Sequence, residues 1–190
     1  MLESGSDKGN ALLELVRAHL AVETDDAGPR AEAAGRRARL VDDLKRQNAP
    51  FERSPDYSAL RLREQAGWRK ESTECVGCGA CTHICPTCYC LILNDESHAG
   101  QFVKVRSYDS CQWHGYARVA GGATPRPKMT DRFRNRYLCK LIYMQGDFGR
   151  LGCTGCGRCI DACPGGIDFR SAVKSLLDGP TAGGAEVARA

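Results

Sequence analysis

With 42% apolar and 7% aromatic residues among 190, 21 glycines and 12 cysteines, the chain has too little hydrocarbon for a large core and needs another staple. The formal charge of +4 counts every cysteine as neutral. Eight thiolates holding two clusters with cores of about +2 each would bring it close to zero, so the charge does not argue for nucleic acid.

Glu3 and Asp7 stand where an export signal would be basic, and no apolar run follows the Arg36-Arg37 pair. A reducing, cytoplasmic setting is therefore expected, in which clustered cysteine points to metal rather than to disulfides.

In chain order, residues 9 to 22 read as an amphipathic helix carrying Leu12, Leu13, Leu15, Val16 and Leu20. Glu23 to Arg39, with Gly28 and Pro29 as breakers, reads as a mobile link. A turn or two of helix over Leu40 to Gln47 ends near Pro50, and Tyr57 to Trp68 alternates in a way that fits either element. Gln101 to Tyr108 alternates as a strand does, and Gly121 to Pro127 is turn-rich. Asp131 to Gln145 repeats Phe133, Tyr137, Leu138, Leu141 and Met144 at helical spacing, with Thr130 or Asp131 as its cap. Asp168 caps a last helix through Leu177 that stops at Gly179 and Pro180, and the remainder reads as a frayed tail.

The chemistry lies in two repeated runs, CVGCGACTHICP from Cys75 and CTGCGRCIDACP from Cys153. Each has the form C-x2-C-x2-C-x3-C-P, a tight loop that turns three thiolates toward one cubane and sends the fourth elsewhere. Small residues between the cysteines let backbone N–H groups approach the sulfurs. In two-cluster proteins the fourth cysteine ligates the other cluster. Cys75, Cys78, Cys81 and Cys163 are thus expected to hold one 4Fe-4S centre, and Cys153, Cys156, Cys159 and Cys85 a second. Zinc knuckles are the alternative, but zinc prefers two separated CxxC pairs to this triplet with a trailing Cys-Pro.

Four cysteines remain, Cys88, Cys90, Cys111 and Cys139. Their number equals the ligand set of a third 4Fe-4S cluster; free thiols or a reactive pair are the other readings. His83 and His98 are read as structural or solvent-facing. The cations Arg126, Lys128, Arg132, Arg134, Arg136, Lys140, Arg150 and Arg158 are read as a solvated face, dense enough to screen anionic clusters or steer an acidic partner. Cys75 to Asn94 lacks formal charge over a membrane-spanning length, yet its six cysteines, His83 and Pro86 fit ligation, and no direct membrane insertion is expected. The aromatics form no stacking platform for nucleic acid.

The fold class expected is mainly α with little β: a two-cluster ferredoxin-type module over 71–178 with a long inserted connection over 87–152. It is preceded by an N-terminal helical extension over 1–70, read as partner docking, and followed by a flexible tail over 179–190. No nucleophile and base arrangement, phosphate loop or dinucleotide fingerprint is visible, so catalytic residues are not assigned. A relay of single electrons is the function expected, with a cluster-linked thiol or disulfide reductase and a free ferredoxin as the alternatives.

Over about residues 70 to 178, CVGCGACTHICPTCYC, SYDSC, AGGATPRP, FRNRYLCK and CTGCGRCIDACPGGID together resemble the iron-sulfur beta subunit of cytosolic NiFe sulfhydrogenases. They are equally similar to the related electron-transfer component of anaerobic sulfite reductase. The resemblance implies an electron wire between a flavin subunit that meets NAD(P) and a catalytic subunit. Two features depart from it: such relatives carry a longer N-terminal portion, and the position of Cys139 is more often histidine there.

Overall fold

The computed structural model describes residues 4–20, 27–52 and 56–181. The chain divides into two compact units, Met1–Glu52 and Arg53–Ala190.

In the first unit, α1 spans Asp7–His19 and starts where the Ser6 hydroxyl accepts from the Gly9 N–H at 3.2 Å. Its start lies two residues ahead of the expected one, and residues 21 and 22 lie outside the described part. The second helix, α2, runs over Ala27–Asn48. It corrects the reading of residues 27–39 as a link; residues 23–26 lie outside the description. The physical reason is local. Gly28 and Pro29 occupy the first turn, where an N–H has no partner within the helix, and the Ala- and Arg-rich stretch that follows is made of good helix formers. Neither helix buries a side chain, and Leu12, Leu15, Leu40, Val41 and Leu44 stay exposed.

The second unit begins with a 3-10 turn over Ser58–Leu62 and α3 over Gln65–Glu71, which resolves the ambiguous alternation in favour of helix. Next come α4, Ala80–His83, and two antiparallel strands, β1 Leu91–His98 and β2 Gln101–Tyr108. The strand expected at 101–108 is present; its partner β1 was not expected. The register pairs Leu91 with Tyr108 and His98 with Gln101, and every β1 residue is exposed.

Helix α5, Met129–Leu138, continues through a π-helical turn, Cys139–Tyr143, into α6, Met144–Phe148. The expected cap at Thr130 or Asp131 is not used. Lys128 precedes the helix without a side-chain bond, and Asp131 lies in the first turn, where its charge suits the positive helix end. A short helix α7, Arg158–Asp161, precedes α8, Phe169–Asp178, whose Asp168 cap accepts from the Arg170 N–H at 2.8 Å. Thr181, placed in the tail by the sequence, forms an antiparallel bridge with Arg63; residues 182–190 lie outside the description.

The core gathers where α3, α5 and α8 meet: Leu60, Trp68, Phe133, Tyr137, Leu138, Leu141, Phe169, Ala172, Val173 and Leu176. Tyr137 is its hub. Its ring stacks on Phe169 at 4.5 Å and tilts against Phe133 at 4.7 Å, with Trp68 edge-on at 5.9 Å. Cys75, Cys153 and Cys159 press on the same cluster, so the apolar core is also the floor under the cysteine loops. Among the described residues, no helix is long and apolar enough to cross a membrane.

Candidate metal centre

Each cysteine run folds as the same device. Gly77 and Gly79 in the first, and Gly155 and Gly157 in the second, take positive φ of +67, +81, +70 and +76. Such backbone curls the three-cysteine loop tightly, and a side chain there would be strained. Gly79 and Gly157 each start a one-turn helix, α4 and α7, which carries the third cysteine of its run. The two short helices lie against each other.

The runs are pinned together at both ends. Gly165, just past Cys163-Pro164, sits so close to the Glu74 backbone that an added Cβ would stand 2.2 Å from the Glu74 carbonyl oxygen. At the other end the Thr87 hydroxyl donates to the carbonyl of Gly152, next to Cys153. The same hydroxyl lies 3.3 Å from the Cys85 sulfur and accepts from Lys140 Nζ at 2.7 Å.

Between the clamps one pocket is lined by Cys85, Cys153, Thr154, Gly155, Cys156, Gly157 and Cys159, with Arg136, Lys140 and Phe169. Cys85 of the first run thus shares a wall with three cysteines of the second. Cys163 in turn is near enough to Cys75 to add to the upward push that burial gives its thiol. Cys78 and Cys156 face solvent, and the other six run cysteines are half-buried.

The residues fit a cluster. A Cβ at Gly155 or Gly157 would meet no atom within 4 Å, leaving the loop mouth open. Arg136 Nε and the Tyr137 hydroxyl are buried without hydrogen-bond partners, beside Cys81 and Cys159. Among the described residues, no three His, Cys, Asp or Glu side chains converge as closely as one metal ion demands.

The remaining cysteines divide. Cys111, buried, has Cys90 and Cys139 as electrostatic neighbours, and Cys90 Sγ lies 3.9 Å from the Tyr116 hydroxyl. Cys88 turns to Cys85 instead. Its thiol is pushed up because it keeps its proton and gives it as a hydrogen bond to Cys85. Cys85 falls to about 4 through that bond, with Thr87 and Lys140 assisting, whereas burial raises Cys81 to about 11. A thiol with a lowered pKa is ionised above that value. In iron-free protein at pH 6, Cys85 is therefore expected to react with iodoacetamide well ahead of Cys81 and Cys88, read by mass mapping. Equal labelling of the three would contradict this geometry.

His83 is exposed and rests on the Trp113 ring at 5.0 Å, and His98 lies exposed at the end of β1. The solvated face needs correcting: Arg132, Arg136 and Lys140 are 5%, 7% and 3% exposed. They recur every four residues along α5 and the π-helical turn, and Arg136 and Lys140 wall the pocket of the cysteine loops. That spacing was the available signal; their charge hid it.

Residues 74–167, which take in both cysteine runs, match the family model of the 4Fe-4S dicluster domain. Over 113 residues, 59% of this chain, it is 41% identical to the sulfhydrogenase 2 subunit beta of Pyrococcus furiosus. The chain spans about a third of that relative's length, 33%. No solved structure matches.

Proposed function

We propose, starting from the dicluster match across both cysteine runs, that this chain is the electron-relay subunit of a cytoplasmic oxidoreductase complex. It sits between a flavin or NAD(P)-binding subunit and a catalytic subunit of the hydrogenase or sulfite reductase kind. The observation that carries this reading is the pocket that unites Cys85 with Cys153, Cys156 and Cys159. Cys75, Cys78, Cys81 and Cys163 hold the other centre. When bound, a 4Fe-4S cluster takes up and returns one electron at a time. The protein's task is to fix the ligands, keep water from the inner sulfurs and set the charge around them.

The finer part of the reading is a third centre at Cys90, Cys111 and Cys139, with Cys88 two residues from Cys90. Its support is that Cys90 and Cys139 are the electrostatic neighbours of the buried Cys111, with Cys90 Sγ 3.9 Å from the Tyr116 hydroxyl. A second reading is a dithiol reductase that takes its active pair from Cys88, Cys90, Cys111 and Cys139 beside a cluster, supported by Cys88, whose thiol stands against the ligand Cys85.

Anaerobic purification with iron and thiol counting tests these readings. Two centres give about eight irons per chain and three give about twelve. About eight irons with Cys88 alkylatable and turnover of a disulfide would favour the reductase. Capture of a flavoprotein from the native host is expected of a relay subunit; colourless, zinc-loaded protein would sink the proposal.

A further inference from the structure

We infer that Arg136 and Lys140 form a buried cation pair, one helical turn apart, that sets the reduction potential of the centres they line; this rests on the iron-sulfur reading above. Both side chains wall the pocket shared by Cys85, Cys153, Cys156 and Cys159. Both are almost wholly buried, and among the described residues neither forms an ion pair with a carboxylate. A cation taken out of water without a counter-charge is costly, so its partner must be negative and must lie in the pocket.

The two reach that charge differently. The Arg136 guanidinium is packed 5.0 Å over the Phe169 ring and 5.8 Å from the Tyr137 ring, and its Nε has no hydrogen-bond partner. Its sulfur neighbours are Cys81 and Cys159, one from each run. Arg136 therefore stands between the two centres. Lys140 acts from one side, through the Thr87 hydroxyl 3.3 Å from Cys85.

Four thiolates around a core of about +2 leave a net charge of about −2, and reduction adds one more negative charge. A fixed cation at the wall favours the reduced form, and its removal disfavours it. The field is strong because the side chains are dry and pre-placed.

The test is an EPR-monitored redox titration of the full, iron-loaded chain with Arg136→Met, Arg136→Lys, Lys140→Met and Lys140→Arg. Arg136→Met is expected to lower the reduction equilibrium constant of both centres about tenfold, a drop of about 59 mV for one electron. Lys140→Met is expected to do so only at the centre holding Cys85. Arg136→Lys and Lys140→Arg are expected to stay within about twofold of the wild type.

Equal shifts from Arg136→Lys and Arg136→Met would overturn the proposal by assigning the residue to packing. Iron-replete Met variants with unmoved potentials would overturn it too. Should Arg136→Met fail to fold, Lys140→Met and the two charge-keeping variants decide the matter. A wild-type chain without iron would instead overturn the iron-sulfur reading beneath it.

Discussion

Cys163→Ser is expected to abolish the same centre as Cys75→Ser, although the two residues belong to different runs, and Cys85→Ser the same centre as Cys153→Ser. Each variant should lose about four of about eight irons, and the EPR signal lost should group the residues in these crossed pairs. The expectation rests on placement. Cys85 stands in the pocket of the second run, and Cys163 lies beside Cys75, with Gly165 seated on the Glu74 backbone just behind it. If Cys163→Ser instead silenced the signal lost in Cys153→Ser, each run would hold its own cluster and the crossing would be wrong. Oxygen of serine is a poorer ligand for iron than thiolate, so the loss should be read in freshly reconstituted protein.

Tyr137→Ala is expected to remove about 3–5 kcal/mol of stability, the range for deleting a large buried aromatic ring. Against a total of about 5–15 kcal/mol for a domain, that is enough to unfold much of the iron-free chain. The hub position explains the size: three aromatic rings contact Tyr137, and none of its surface is exposed. The same floor supports Cys75, Cys153 and Cys159, so iron retention should fall together with the thermal midpoint. Tyr137→Phe, which keeps the ring, provides the control, and its midpoint should stay close to that of the wild type. A midpoint for Tyr137→Ala within a few degrees of the wild type would place the weight of the fold on the clusters instead.

Much of this was legible beforehand because ligand spacing is a short-range property. The two runs, the β2 strand and the α8 helix with its Asp168 cap are all set by neighbours a few residues apart. The helix expected over Leu40 to Gln47 is the second part of α2, whereas residues 27–39 escaped because Gly28 and Pro29, in a first turn, break nothing. Strand β1 escaped because Leu91–His98 runs from apolar to charged without alternation, and its pairing with β2 alone defines it. The burial of Arg136 and Lys140 depends on what the folded loops place opposite them. No local pattern marks a charge as buried, and only the i, i+4 repeat with Arg132 hinted at a shared face. The split among Cys88, Cys90, Cys111 and Cys139 likewise follows from tertiary placement.

The clamps at Thr87–Gly152 and Glu74–Gly165 have a consequence for how the chain is made. A ribosome adding about 5–20 residues per second needs several seconds to travel from Thr87 to Gly152. During that interval the first run exists without the second, and an iron donor arriving then meets only half a socket. Loading therefore belongs after Gly165 has emerged, and oxygen reaching the nascent chain earlier meets unprotected sulfur.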